Sequence, residues 1–235
     1  MIIKRYTLAT GFIQALLLMV CAQALAEEWP DIQVPPNTRV TVVADNLIMN
    51  GSAMRTWEIS ISTNITKAQA FYEKEWAKPL VESLPGYDIS ETDDWLIISR
   101  LSKEYFISVQ LAPSGKQSTQ GYFAIKKLPQ KNEKFVLGKG FELPRGSSIL
   151  NDISAKDGPK KSRTIVAVND GSVPDNAKFF RTEYQQHGWK ELKKGLGENN
   201  FSREALLFDK RGAELNIALV NDANKTFIIA VTVDN

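Results

Sequence analysis

The sequence predicts an α+β protein built as two tandem repeats, each an antiparallel sheet with one main helix packed across it. Three observations lead to this prediction. Matching residues recur in the same order about 108 positions apart. Each copy contains one stretch of helical periodicity, followed by runs that alternate between apolar and polar residues. The composition is ordinary for a globular chain, with 43% hydrophobic and 24% charged residues.

The chain begins with a segment typical of a bacterial secretory signal peptide. Lys4 and Arg5 precede the apolar stretch from Leu8 to Val20, and Ala24-Leu25-Ala26 provides the small residues that signal peptidase recognises. We predict cleavage after Ala26, so that residues 1–26 are removed and the mature chain is periplasmic, with no stable membrane insertion. The alternative is an uncleaved membrane anchor over the same apolar stretch.

Cleavage changes the chemistry of the mature chain. The only cysteine, Cys21, leaves with the signal peptide, so no thiol and no disulfide remain. Val20 stands where a lipoprotein signal has a small residue, so a lipid anchor on Cys21 is not predicted. The mature chain keeps 27 of the 29 basic residues, equal to the 27 acidic ones. A neutral exported chain does not favour nucleic acid as a partner.

Chemically matched dipeptides mark the two copies. Val34-Pro35 matches Leu143-Pro144, Arg55-Thr56 matches Arg163-Thr164, Phe71-Tyr72 matches Phe179-Phe180, and Gly86-Tyr87 matches Gly188-Trp189. We predict a first α+β repeat at residues 27–128, a polar linker at 129–139 and a second repeat at 140–235. Chance spacing of aromatic pairs is the alternative interpretation.

In the first copy, a strand at 39–43 and the turn Asn50-Gly51 precede an alternating strand at 57–61. Thr66 and Gln69 resemble a capping box, and the helix that follows is predicted to end at Pro85-Gly86. Three strands then follow, at 95–101, 105–111 and 121–127.

The second copy repeats this series. A strand at 164–168 precedes Ser172, a candidate N-cap followed by proline and an early acid, which predicts a helix over 176–186 that stops at Gly188. Strands follow at 205–209, 214–220 and 226–233, connected by turns at 210–213 and 221–224.

Residues suited to catalysis are scarce. His187 is the only histidine, and its place at the end of the second helix favours helix capping. One histidine without cysteine does not predict a zinc site, and no calcium-loop spacing surrounds Asp93-Asp94. We therefore predict no catalytic, cofactor-binding or metal-binding residues, and no enzyme activity. A hydrolase that uses two of the scattered carboxylates is the alternative.

Small basic clusters in the second copy are interpreted as solvated faces, with anionic lipid or polysaccharide as the alternative contact. They are Lys160-Lys161 with Arg163, and Lys190 with Lys193-Lys194. The segments 137–140 and 195–197 contain glycines without the context of a phosphate loop, and both are predicted to be loops. Trp29 and Trp189 lie outside the predicted helices and strands and are candidates for an interface.

The dipeptides Phe71-Tyr72 and Gly86-Tyr87, with their counterparts Phe179-Phe180 and Gly188-Trp189, resemble a recurring type of small bacterial envelope domain. In that domain a Leu-Pro-type entry strand is followed by a helix and an antiparallel sheet. The layout is also similar to the helix-grip domains of accessory lipoproteins in outer-membrane assembly machinery. This resemblance implies a fold and does not determine a function, and it transfers no functional residue.

These observations favour a non-enzymatic periplasmic protein that binds a protein partner or assists envelope assembly. In this hypothesis, exposed sheet edges or the cleft between the domains recruit the partner. The alternative is a carrier that binds a small molecule, lipid or glycan between helix and sheet. The sequence does not identify the residues of either binding site.

Overall fold

The computed structural model describes residues 29–129, 134–193 and 202–234. Residues Asp31–Asn235 form one compact unit, in which the alternating runs of the sequence become strands of one sheet. Trp29 and Pro30 lie outside this unit and have no regular secondary structure. The predicted signal peptide, residues 1–26, lies outside the described residues.

The first half of the sheet-forming unit contains β1 (Thr38–Met49), β2 (Ser52–Ile61), α1 (Ile65–Trp76), β3 (Asp88–Thr92), β4 (Trp95–Ser102), β5 (Tyr105–Gly115) and β6 (Ser118–Lys127). The second half contains β7 (Ser148–Asp157), β8 (Lys160–Asn169), α2 (Val173–Gln186), β9 (Lys190–Lys193), β10 (Arg203–Lys210), β11 (Ala213–Asp222) and β12 (Lys225–Asp234). Each half therefore has two strands, a helix and four further strands.

All twelve strands belong to one antiparallel sheet, in the order β3-β4-β5-β6-β2-β1-β7-β8-β12-β11-β10-β9. The predicted α+β class, with a sheet and a main helix in each of two repeats, is wrong. The described part of the chain is mainly β, because its secondary structure is dominated by one sheet, in which β1 and β7 pair and merge the strands of both halves. The two helices have only 12 and 14 residues.

The strand order is symmetric about the junction of β1 and β7. Three residue pairs connect these strands, among them Leu47 with Ala155. The residue numbers of Leu47 and Ala155 differ by 108, and so do those of the two helix N-caps, Asn64 and Ser172. Because equivalent residues of the two halves pair with each other, an approximate twofold axis passes between Leu47 and Ala155.

Both helices lie on the same face of the sheet. Trp76 of α1 contacts Phe123 of β6, with ring centroids 6.2 Å apart. Directly paired residues of neighbouring strands point to the same face of the sheet, and so do alternate residues along one strand. By these two rules, Phe123 shares its face with Ile48 on β1, with Ser154 on β7 and with Arg163 on β8. Arg163 in turn shares its face with the core beneath α2. The central strands β1, β7 and β8 therefore form a floor between the two helices.

Helix α1 is shorter than the sequence predicts. Its N-cap is Asn64 rather than Thr66, and the Asn64 side chain accepts a hydrogen bond from the first turn of the helix. The helix ends at Trp76, well before Pro85-Gly86. Pro79 explains this early end, because a residue that precedes proline is disfavoured in the helical region.

Helix α2 has the predicted caps and the predicted end at Gln186, but it begins at Val173, three residues before the predicted start at 176. The Ser172 hydroxyl accepts a hydrogen bond of 3.2 Å from the backbone N–H of Asp175, and Pro174 lies in the first turn. At the other end His187 is the C-cap, and Gly188 adopts a left-handed conformation with φ of +81°.

Three strands, β3, β7 and β9, were not predicted. The strand β7 is the informative case, because its alternation is hidden by a bulge at Leu150 and by a carboxylate, Asp152, in an inward position. In a sequence, an acidic residue normally indicates an exposed position. Here the buried carboxylate of Asp152 forms an ion pair with Arg163 on the neighbouring strand.

Each helix packs an apolar stripe onto the sheet. The buried residues are Ala68, Tyr72 and Trp76 in α1, and Val173, Ala177, Phe180 and Tyr184 in α2, with Asn176 as a buried polar neighbour. Tyr72 is fully buried, and its hydroxyl has no hydrogen-bond partner among the described residues. Burial raises the pKa of Tyr72 well above its ordinary value.

We expect Tyr72→Phe to raise the free energy of unfolding by about 1 kcal/mol, because it removes an unsatisfied buried hydroxyl without changing the shape of the core. Urea denaturation measures this difference. Tyr184→Phe is the control and should lower stability, because the Tyr184 hydroxyl is hydrogen-bonded to the backbone of Glu142. A clear loss of stability in Tyr72→Phe would contradict the expectation.

Candidate functional site

A cavity of about 650 Å³ lies beside the C-terminal end of α2, on the helix-bearing face of the sheet. Its floor comes from β1, β7, β8 and β12, through Asn46, Ile48, Ser154, Ala155, Lys156, Lys161, Ser162, Arg163, Thr232 and Asp234. Its walls come from Gly140, Phe141, Glu142, Tyr184, His187, Trp189 and Lys210. The volume is within the usual range for sites that bind small molecules.

Aromatic side chains form one wall of the cavity. The ring of Tyr184 lies 5.9 Å from that of Phe141 and 5.9 Å, edge to face, from that of Trp189. Tyr184 also packs on Phe208 in the core, at 5.8 Å. Burial raises the pKa of the Tyr184 hydroxyl, which keeps this residue uncharged. The wall is therefore a rigid apolar surface connected to the core.

An ion pair between the partly buried Arg163 and the buried Asp152 holds the loop that forms the second wall. Arg163 donates two hydrogen bonds to Asp152, of 2.9 Å from Nε and 2.7 Å from Nη2. Its remaining nitrogen, Nη1, donates to the carbonyl of Lys139 at 3.0 Å, and the backbone N–H of Gly138 donates to Asp152 at 2.8 Å. These contacts fix the chain immediately before Phe141 against the sheet.

The same contacts determine the charge of the pair. Burial by itself raises the pKa of Asp152, but the hydrogen bonds from Arg163 and Gly138 outweigh this effect and hold the pKa below its ordinary value. The hydrogen bond to Asp152 raises the pKa of Arg163 in turn. Asp152 is only 2% exposed. The pair is therefore fully ionised at neutral pH, and its charges compensate each other.

Three lysines at the cavity have no such compensation. Lys156 on β7 and Lys161 on β8 are direct cross-strand partners, and both line the cavity. Lys210 places its Nζ 5.9 Å from the ring centroid of Trp189. In the described part of the chain, none of the three forms an ion pair within 4.0 Å.

Two carboxylates also line the cavity. Asp234 is the cross-strand partner of Lys161 on β12, and Glu142 follows Phe141 in the loop. With the Arg163–Asp152 pair balanced, the three lysines exceed these two acids by one positive charge. The cavity therefore combines an apolar aromatic wall with a cationic floor.

The ring of His187 points back to its own helix. Its Nδ1 lies 2.8 Å from the carbonyl oxygen of Glu183, to which it donates, and 3.3 Å from the Glu183 carboxylate. This is the helix-capping arrangement that the sequence predicts. The residue also borders a second cavity of about 510 Å³, together with Gly188, Lys190, Asp209, Lys210 and Arg211.

The structure brings together only some of the residues that the sequence analysis considered. Lys161 and Arg163, which the sequence analysis grouped in one basic cluster, meet His187 and Trp189 at the first cavity, although the sequence analysis did not connect the cluster with these two residues. Asp93-Asp94 lie in an exposed turn between β3 and β4. Lys194 and the glycines at 195–197 lie outside the described residues. Within the described residues, no group of three histidine, cysteine or acidic side chains is placed to hold a metal ion.

Sequence reasoning missed Phe141, Asp152, Lys156, Tyr184 and Lys210 as members of the site. The alternation of β7 was the one available sign, because Asp152, Ser154 and Lys156 share a face with period two. The other positions come from separate elements, and their proximity depends on how α2 packs on the sheet.

Comparisons with protein-family models, with curated proteins and with solved structures find no match to this chain. Neither α1 nor α2, the two helices of the described residues, has the length and apolar character needed to span a bilayer. The functional argument therefore depends on the geometry and charge of the cavity.

Proposed function

We propose that the protein is a non-enzymatic carrier that binds a small anionic molecule with a flat apolar portion. The molecule occupies the cavity between the end of α2 and the central strands. The place of action is the periplasm, to which residues 1–26 direct the chain in the signal-peptide prediction. This proposal takes up the carrier alternative of the sequence analysis, and the cavity supports it.

The lysine pair Lys156–Lys161 is the observation that supports this proposal. Like charges directly opposite each other on neighbouring strands repel and destabilise a sheet. Two ammonium groups at the cross-strand Cβ spacing of about 5 Å repel by ~1 kcal/mol in water. A bound carboxylate, sulfate or phosphate group relieves this repulsion, which favours an anion at the cavity floor.

The aromatic wall of the cavity supports the proposal that the ligand has a flat apolar portion. Trp189 and Phe141 present apolar ring surface to the cavity, and both rings are held in place by Tyr184. A flat apolar group can stack on such rings, with a gain of about 0.5–1.5 kcal/mol for each aromatic pair beyond the burial of apolar area. An anionic head with an apolar ring or chain therefore suits both surfaces.

A fluorescence titration with anilinonaphthalene sulfonate tests the proposal, because this dye combines an anion with flat rings. We expect saturable binding at one site, at least about tenfold tighter than for phenylnaphthylamine, which lacks the sulfonate. The double variant Lys156→Gln/Lys161→Gln should lose this preference, since the charge pair is gone. Trp189→Ala should weaken the binding of both dyes.

Lys160→Gln is the matched control, because Lys160 lies in the same β7–β8 hairpin and does not line the cavity. It should bind both dyes like the wild type. Equal dye affinities in the wild type, or an unchanged preference in the double lysine variant, would reject the proposal. Native mass spectrometry of the protein purified gently from its own cells then identifies the natural ligand by mass.

A further inference from the structure

We propose that Arg100 anchors a second ligand site, at the C-terminal end of α1, which binds the carboxylate group of a small molecule. Arg100 lies on β4, is only 8% exposed and contacts Trp76 at the end of α1. The site belongs to the first half of the sheet, whereas the cavity lies beside α2 in the second half. The proposal therefore does not depend on the carrier function.

The positive charge of Arg100 is buried without a counter-charge. Among the described residues, no carboxylate lies within 4.0 Å of its guanidinium group. Burial lowers the pKa of Arg100, and no neighbouring charge opposes this effect. Arginine side chains are rarely buried in proteins unless an acidic group pairs with them. An uncompensated guanidinium group at this depth therefore favours an anion as its partner.

The hydrogen bonds of Arg100 are also incomplete. Its Nη2 donates to the backbone carbonyl of Lys78 at 3.1 Å, and its Cζ lies 5.6 Å from the ring centroid of Trp76. Its Nε is buried and has no acceptor among the described residues. Buried polar groups without a partner are exceptions in native proteins, and a bound ion is one of their ordinary explanations. An oxyanion beside Nε supplies the missing acceptor.

Two other arginines show which group fits these nitrogens. Arg163 donates from Nε and Nη2 to the two carboxylate oxygens of Asp152. Arg181 donates from the same two nitrogens to the carboxylates of two glutamates. Burial lowers the pKa of Arg181 as well, but the hydrogen bonds to its glutamates outweigh this effect and raise the pKa. A carboxylate is therefore the partner that this protein uses for its other buried guanidinium groups, and we infer the same group for Arg100.

The fold itself does not require a cation at this position. Strands β4 and β10 are offset by 108 at both ends, so the counterpart of Arg100 is Phe208. Phe208 is buried against Tyr184, with ring centroids 5.8 Å apart, in the same way that Arg100 lies beside Trp76. An apolar residue therefore completes the core of the second half at the equivalent place, which indicates that Arg100 has a role other than packing.

The loop after α1 controls access to Arg100. Residues 77–87 connect α1 to β3 and contain neither helix nor strand. The carbonyl of Lys78 holds this loop on the guanidinium group. Because so little of Arg100 is exposed, entry of a carboxylate requires the loop to move. This favours a small ligand over a protein partner.

Acetate is the probe, and the protein carries Lys156→Gln/Lys161→Gln so that anion binding in the cavity does not contribute. We expect about 0.1 M sodium acetate at about pH 7 to lower the equilibrium constant of urea unfolding about tenfold, relative to sodium chloride of equal ionic strength. Adding Arg100→Met should reduce this effect to less than about twofold. Adding Arg203→Met, at an exposed arginine on β10, is the matched control and should leave the effect unchanged.

A nuclear magnetic resonance titration of the folded protein makes the test independent of stability. The Nε–H signal of Arg100, assigned by its absence in Arg100→Met or Arg100→Lys, should shift to saturation with acetate and stay in place with chloride. An unshifted signal, or an equal effect of acetate on unfolding with and without Arg100, would overturn the proposal. Arg100 then acts only as a cap of α1 through the Lys78 carbonyl. A failure of dye binding in the cavity bears on the carrier function alone.

Discussion

Asp152→Ala lowers the free energy of unfolding by about 3 kcal/mol at neutral pH, because it removes the buried carboxylate of an ion pair and leaves the partly buried Arg163, whose side chain is 29% exposed, without its partner. Arg163 loses both hydrogen bonds to the carboxylate, and the backbone N–H of Gly138 loses its acceptor. Urea denaturation of the variant and the wild type at pH 7 measures this loss. Asp157→Ala, which removes an exposed carboxylate of the same strand, should cost little.

The stability that Asp152 contributes to the fold is lost on acidification. The folded pKa of Asp152 is lower than the ordinary value, so its carboxylate stabilises the fold at every pH above the unfolded pKa of about 3.9. This contribution disappears as the pH falls through the lower folded pKa. We therefore expect the difference between wild type and Asp152→Asn to be constant above about pH 5 and to shrink below about pH 4. A difference that grows on acidification would contradict the assignment.

The Asp152 variants also connect stability with the site. Without the clamp, the loop from Gly138 to Phe141 is no longer fixed, and the wall of the cavity loses its support. Dye affinity in Asp152→Ala should therefore fall even at temperatures where the variant is fully folded. Normal dye binding in the folded variant would show that the loop is held by other contacts.

Phe180→Ala should lower the free energy of unfolding by about 4 kcal/mol, because it opens a large void in the core beneath α2. Phe180 is fully buried, and its ring lies 5.4 Å from Phe179 and 6.1 Å from Tyr184. Thermal or urea denaturation checks this loss. Phe179→Ala is the control on the same helix, and we expect about half the loss because Phe179 is only partly buried. Equal losses in the two variants would show that the void is filled by repacking.

Local elements of this fold were largely predictable. The strand at 57–61 and the strands near the C-terminus show period-two alternation, and each lies in the sheet. Ser172 caps α2, and Gly188 ends it in the left-handed conformation. These features depend on residues close together in the chain, which is why a sequence pattern reveals them.

Two of the three errors arise from strand pairing, and the third arises from a local signal that was given too little weight. The strand β7 was missed because its inward Asp152 is acceptable only beside Arg163, and that contact requires the pairing of β7 with β8. The end of α1 was predicted too late because the apolar residues after Pro79 were given more weight than the proline itself. The fold class was wrong because β1 and β7 join the two halves, and no local pattern marks which strands become neighbours.

In the candidate site, too, local sequence signals pointed to single residues, whereas only the tertiary structure grouped them. Individual residues such as Lys161, Arg163 and Trp189 attracted attention in the sequence, but nothing there placed them around one cavity. Lys156 and Lys161 meet because of a hairpin register. Tyr184 and Phe141 meet because α2 lies across the sheet and the clamp draws the loop over it.

By itself, the sequence determined the turns, the caps of α2, the alternation of most strands and the recurrence of matching residues at an offset near 108. Only the tertiary structure decided that the two halves share one sheet, that an ion pair supports the cavity wall, and that Arg100 is buried without an acidic partner in the described part of the chain. The physical reason is that propensity and periodicity act between near neighbours in the chain. The pairing of β1 with β7 joins residues about a hundred positions apart, and the Asp152–Arg163 contact, 11 positions apart, depends on the register of β7 with β8.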